Sequence, residues 1–152
     1  MDGAILVPSV IPSIQDAIDF SSSGDSIIVD AGTYTGKINF SGKNVILVAS
    51  DGASSTILDG DGAGPVVTIA NGETAAAVLD GFTITGGSAS SGGGLYIYSN
   101  TSPTLKNLII TENTASTYGG GMYLWESNPT LTNSILWSNS PESNSPESIY
   151  LD

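Results

Sequence analysis

Few side chains in this sequence combine a reactive type with a suggestive setting. Asp59-Gly60-Asp61-Gly62 and Asp80-Gly81 each follow a short apolar run. Two carboxylates facing one another across a sugar, about 5–9.5 Å apart, can hydrolyse a glycosidic bond. That chemistry makes Asp59, Asp61 and Asp80 candidates. Asp59, Asp61 and Asp80 are also hard oxygen donors on flexible segments, the ligand type calcium takes. They lack the full ligand spacing of a known calcium loop. Aspartate before glycine is equally ordinary turn chemistry, its carboxylate bonding nearby backbone amides. The basic residues are Lys37, Lys43 and Lys106, with no arginine and no histidine. A lysine works as a proton abstractor only when burial or a neighbouring cation lowers its pKa. The surrounding excess of acid pushes the other way.

A second constellation is aromatic. Tyr96, Tyr98, Tyr123, Trp125 and Tyr150 recur within near-identical units. Gly92-Gly93-Gly94-Leu95-Tyr96-Ile97-Tyr98 returns as Gly119-Gly120-Gly121-Met122-Tyr123-Leu124-Trp125, 27 residues later (122 − 95). If Leu95 and Ile97 point inward, strand alternation turns these aromatics outward. A run of outward aromatics suits a stacking platform for sugar rings, a protein interface, or cross-strand packing under a loop.

The elements that must position these residues are stacked strands. Pro103 to Ile110 returns as Pro129 to Leu136, 26 residues later (129 − 103). A period of this length signals stacked units. Each unit holds short β-type runs joined by Gly, Ser, Asn and Pro, and it buries its apolar face only by stacking on the next. One inward row is Ile38, Val67, Leu95, Met122 and Ile149, and a second is Phe40, Ile69, Ile97, Leu124 and Leu151. A second column aligns Val45 to Val48, Phe82 to Thr85, Leu108 to Thr111 and Ser134 to Trp137. A third aligns Ile27 to Val29 with Ile57 to Asp59, replaced later by Ser88 to Ser91 and Thr114 to Tyr118. Extra loop is expected around residues 70–76. Asn107 with Asn133, and Asn113 with Asn139, sit one period apart and read as asparagine ladders at coil corners. The glycine triplets read as backbone features permitting sharp turns. The pattern predicts an all-β fold, a right-handed parallel β-helix of about four to five coils. A β-sandwich would not require apolar rows at a constant long step. Ser13 as N-cap, Asp16 in the first turn, and Ile14, Ala17 and Ile18 on one face predict a short N-terminal capping helix.

At 152 residues and net charge −12, the chain is long enough for one cored domain. So few cations argue against nucleic acid and anionic membrane surfaces as partners. No apolar run approaches the roughly 20 residues of a membrane span. There is no cysteine, and no signal peptide is visible. Met1-Asp2-Gly3 reads as an appended start on a trimmed segment.

Ser13 to Ile18, Gly24 to Val29 and Ala31 to Tyr34 resemble the N-terminal cap and first coil of pectate-lyase-like right-handed β-helix proteins. The Gly-Gly-Gly units, with Ile110-Thr111-Glu112-Asn113 and Leu136-Trp137-Ser138-Asn139, resemble repeats of bacterial polymorphic outer-membrane proteins. The resemblance spans about residues 13–140. It implies a right-handed coil and a secreted or surface-exposed parent. The resemblance implies that a lyase would use a basic proton abstractor, here Lys37, Lys43 or Lys106, and often carboxylate-bound calcium; Asp59, Asp80 and Lys106 form the alternative catalytic reading. The superfamily also holds adhesins and inert stalks.

The expectations are therefore these. Residues 1–152 form a single β-helix domain, with a cap over 1–25, coils over 26–139, and a terminal loop and last strand over 140–152. The function is a non-catalytic extracellular or cell-surface module for adhesion, glycan binding or protein interaction, with no cofactor expected and calcium left open. The alternative is a polysaccharide lyase or glycoside hydrolase fragment. Ile149 and Leu151 should complete the final coil, and the chain should homodimerise through that coil or through the aromatic face. Outward Thr83, Thr85 and Thr111 hint at an ice-binding face, which Ile109, Ile135 and Trp137 interrupt.

Overall fold

The computed structural model describes residues 4–141 and 149–151. Strand β1 (Ile5–Val7) leads through a turn into helix α1 (Ile14–Phe20). The first coil is β2 (Ser26–Val29), β3 (Gly32–Thr35) and β4 (Ile38–Asn39), and the second is β5 (Ile46–Ala49), β6 (Thr56–Asp59) and β7 (Val67–Ile69). The third gains a strand: β8 (Val78–Asp80), β9 (Thr83–Thr85), β10 (Ser88–Ser91) and β11 (Leu95–Tyr98). The fourth repeats it with β12 (Thr104–Lys106), β13 (Ile109–Thr111), β14 (Thr114–Tyr118) and β15 (Met122–Trp125). The fifth holds β16 (Thr130–Thr132), β17 (Ile135–Trp137), β18 (Ser140–Pro141) and β19 (Ile149–Leu151).

Every strand pairs in parallel with its counterpart one coil away, giving a β-solenoid of about five turns. Four sheets run along it: β1-β2-β5-β8-β12-β16, β3-β6-β9-β13-β17, β4-β7-β11-β15-β19 and β10-β14-β18. The interior is filled by files of like side chains, one per coil. Ile27, Leu47, Leu79 and Leu105 stack in register and are fully buried, as are Leu58, Ile84 and Ile110 on the second sheet. Each such side chain contributes about 1.5–3 kcal/mol by leaving water.

The first apolar row pairs as the sequence predicts: Ile38 with Val67, Val67 with Leu95, Leu95 with Met122, and Met122 with Ile149. Leu151 likewise pairs with Leu124, so β19 completes a fifth rung of that sheet. Residues 142–148 of the expected terminal loop lie outside the described residues.

Of the second expected column, Phe82 to Thr85, Leu108 to Thr111 and Ser134 to Trp137 align as predicted, but its first member and the third column are corrected. Val45 to Val48 does not align with Phe82 to Thr85; β5 lies between β2 and β8, whereas β9 lies between β6 and β13. Ile27 and Ile57 likewise belong to different sheets, and β10, β14 and β18 form a fourth sheet that replaces neither. In every coil but the second, two successive short strands are joined by a two-residue corner, and periodicity alone cannot say which of the two is which. The extra length sits in two places, the turn at residues 50–55 and the loop at residues 70–77.

The cap is built as its sequence implies. The Ser13 hydroxyl accepts a bond from the Asp16 amide at 3.0 Å, and Ile14, Ala17 and Ile18 face the core. The Lys43 ammonium donates to the carbonyls of Ile18, Asp19 and Ser21 at 2.8, 2.8 and 2.9 Å, closing the helix C-terminus. The Gln15 amide bonds both the N–H and the C=O of Asn39, acting as one residue of a further strand along β4.

Corner chemistry is only partly a ladder. The Asn113 amide donates to Asn139 Oδ1 at 3.1 Å, as expected, but Asn107 donates to Asp80 Oδ1 at 2.6 Å rather than to Asn133. Asn107 and Asn133 hold left-handed φ of 54° and 48°, which asparagine tolerates. In the glycine triplets, Gly92 and Gly119 take positive φ, whereas a Cβ on Gly94 would strike the Gly121 carbonyl of the next coil. Close coil-to-coil approach, as well as turning, therefore demands glycine there.

Candidate functional site

The structure separates the candidate carboxylates. Asp59 ends β6 and its Oδ1 accepts the Asp61 amide at 3.0 Å, the local turn bond open to aspartate before glycine. Asp80 ends β8, on a different sheet and at a different corner of the coil. It meets Lys106 at 3.3 Å, because β8 and β12 pair Asp80 directly with Lys106. That pair is held further by the Asn107 amide. Among the described residues, no group of three or more Asp, Glu, His or Cys gathers as metal ligands would. Lys43 is committed to the helix terminus. Asp59, Asp80, Lys43 and Lys106 are thus each held by a local structural partner.

The aromatic residues do converge. Tyr96 and Tyr123 pair across β11 and β15, and their rings stack with centroids 5.2 Å apart and planes 7° from parallel. Tyr98 leans on Tyr96 at 5.1 Å and 54°, and Trp125 lies 6.4 Å from Tyr123 at 14°. Pointing outward does not leave the centre of the array exposed. Tyr123 is only 9% exposed and Tyr96 is half-buried, whereas Tyr98 and Trp125 are 38% and 40% exposed. Cross-coil stacking at nearly the strand spacing of about 4.8 Å is what covers the central rings. Tyr150 is paired by its backbone with Tyr123, extending the file by one coil.

One member was missed by the sequence reading. Tyr118, at the end of β14, approaches Tyr123 with centroids 6.5 Å apart and is 43% exposed. Its position immediately before the second glycine triplet was the available signal: Gly119, at positive φ, turns the chain from β14 toward β15. Trp137 and Ile135, both more than half exposed, lie on β17 in another sheet.

This geometry restricts what the array can do. The faces that Tyr96 and Tyr123 turn toward each other are closed to a sugar. Tyr123 is nearly covered, and the flanking Tyr98, Trp125 and Tyr118 offer the larger exposed surface.

Compared with protein-family models, curated proteins and solved structures, the chain matches none. The parallel β-solenoid is common ground with the β-helix resemblance. No helix among the described residues is long and apolar enough to cross a membrane.

Proposed function

We propose that this protein is a non-catalytic β-helix module that binds a protein partner through Tyr98, Tyr118 and Trp125. The observation that carries the reading is the half-exposed aromatic rim set on a stacked, rigid Tyr96–Tyr123 base. Tyrosine and tryptophan supply large contact area at low entropic cost, and a base locked by stacking holds its rim ready for binding. Closure of the mutual Tyr96–Tyr123 faces favours a protein over a glycan. The parent is proposed to be secreted or surface-exposed, within the pectate-lyase-like and polymorphic outer-membrane-protein kinship suggested by its repeats. Homodimerisation, through this face or the last coil, is part of the proposal.

Light scattering on the intact protein and on Tyr98→Ala/Trp125→Ala tests the self-association part. A dimer that the double variant dissociates supports the aromatic face; a dimer that it leaves intact points to the last coil; a monomer in both removes self-association. Glycan arrays test the competing reading, since retention of a polysaccharide that depends on Trp125 would reject a protein partner. Turnover of polygalacturonate or alginate, lost on changing Asp59, Asp80 or Lys106, would reject the non-catalytic reading altogether.

A further inference from the structure

The N-terminal end of the solenoid is covered unevenly. On the first sheet, β1 pairs with β2 and occupies the rung below the first coil. On the third sheet, Gln15 satisfies the outward backbone groups of Asn39. On the second sheet, β3 is the terminal strand and nothing pairs with its outer edge among the described residues. The amides of Gly32 and Gly36 donate to Ser55 and Asp59 of the second coil. Alternation along a strand therefore turns the amides of Thr33 and Thr35 toward the free edge.

The chain between β1 and α1 runs past this edge without filling it. Val10 and Ile11 bond back to the Leu6 carbonyl. Between this connection and β3 lies a cavity of about 400 Å³, lined by Pro12 to Gln15 and by Thr33 to Ile38. The cavity follows the strand from Thr33 to Lys37.

Lys37 stands at its far end. Of the lysines, Lys43 is spent on the helix terminus and Lys106 on Asp80, whereas Lys37 has no hydrogen-bond or ion-pair partner among the described residues. Its stem leans toward Gly64 of the second coil, and its exposed four-carbon arm is free to swing.

We propose that this slot takes the carboxyl-terminal residues of another polypeptide, added to β3 as a parallel strand with the terminal carboxylate on Lys37. Strand polarity selects that end of the partner. Every pair in the solenoid is parallel, and a parallel addition carries the partner's C-terminus toward Lys37. An antiparallel addition would set a terminal amine against the ammonium. Main-chain bonding along an unpaired edge is an established mode of peptide capture. A second copy stacking head to tail does not fit, because its β16 and β17 would arrive together and β1 already occupies the place of β16. With net charge −12 the rest of the protein repels a carboxylate, so Lys37 decides whether the end group is accepted.

The test is an NMR titration of the full chain with a pool of random tetrapeptides bearing free carboxyl termini, against the same pool amidated. The proposal expects amide shifts at Thr33, Thr35 and Lys37, and at least tenfold weaker response to the amidated pool. It expects the same loss for Lys37→Gln with the free-carboxylate pool, while the variant's spectrum elsewhere stays unchanged. No shift at these amides at millimolar pool concentration overturns it. So does equal response to the two pools, or a response confined to the aromatic rim.

Discussion

The ring of Tyr96 lies on the ring of Tyr123 one coil above, 5.2 Å between centroids and 7° from parallel. The two differ from their flanking aromatics in burial, and that difference separates a structural role from a binding role. Tyr123→Ala should destabilise the fold by about 3 kcal/mol, as truncation of a buried aromatic does. Trp125→Ala should cost about 1 kcal/mol or less. Urea denaturation of both variants checks the contrast, and equal losses would contradict the distinction between base and rim.

Asn113 is buried and saturated. Its amide donates to the carbonyls of Ile84 and Thr111 and to Asn139 Oδ1, and its own oxygen accepts the Gly87 amide at 2.9 Å. Asn113→Ala strands those groups in the interior, at about 1–3 kcal/mol for a buried group left unpaired. The expected total is about 3 kcal/mol, with faster hydrogen exchange at Gly87. An unchanged Gly87 amide would show that the bond carries little.

Glu73 staples the long 70–77 loop to the coil below. Its carboxylate accepts the Gly42 amide at 2.8 Å and the Asn71 amide at 2.7 Å while wholly buried. Glu73→Gln turns an NH₂ toward one of those donors. A loss of about 2 kcal/mol is expected, because a charge-assisted bond is replaced by a donor facing a donor. Thermal unfolding measures it; a neutral substitution would mean the loop is held by other contacts.

Asp80 and Lys106 form a surface pair, 19% and 41% exposed. Lys106→Met should change stability by less than about 1 kcal/mol. Asp80→Ala should cost more, since it also removes the acceptor of the Asn107 amide at a left-handed corner. Reversal of that order in chemical denaturation would argue that the ion pair, not the corner bond, is what matters.

Tyr34 heads an interior file, and its hydroxyl donates to the Asp30 carbonyl at 2.9 Å. Burial, and then the Asp30 charge, raise its phenol above the usual value of 10.0. The folded state therefore holds this proton more tightly than the unfolded chain. Its contribution is complete below pH 10 and is lost as pH rises through the higher folded value. Stability measured from pH 8 to 11 should fall less steeply in Tyr34→Phe; identical slopes would exclude Tyr34 as a source of alkaline sensitivity.

The sequence by itself determined the period, the solenoid and the first apolar row. Ile38, Val67, Leu95 and Met122 recur at a near-constant step, and only stacking can bury such a row. It also determined the cap, because Ser13, Asp16 and the Ile14, Ala17, Ile18 face are local signals. Tertiary structure alone decided the rest. Assignment of Val45 to Val48 to one sheet or another depended on the 50–55 turn, whose length shifts the register without altering the apolar pattern. Pairing of Asn107 with Asp80 followed from which strand ends meet at a corner. Burial of Tyr123 followed from rings stacking across coils, whereas alternation along one strand says only that it faces outward. The free edge of β3 was likewise invisible in the sequence, because an unfilled rung is a property of what the cap covers, and neither Thr33 nor Thr35 carries a mark of it.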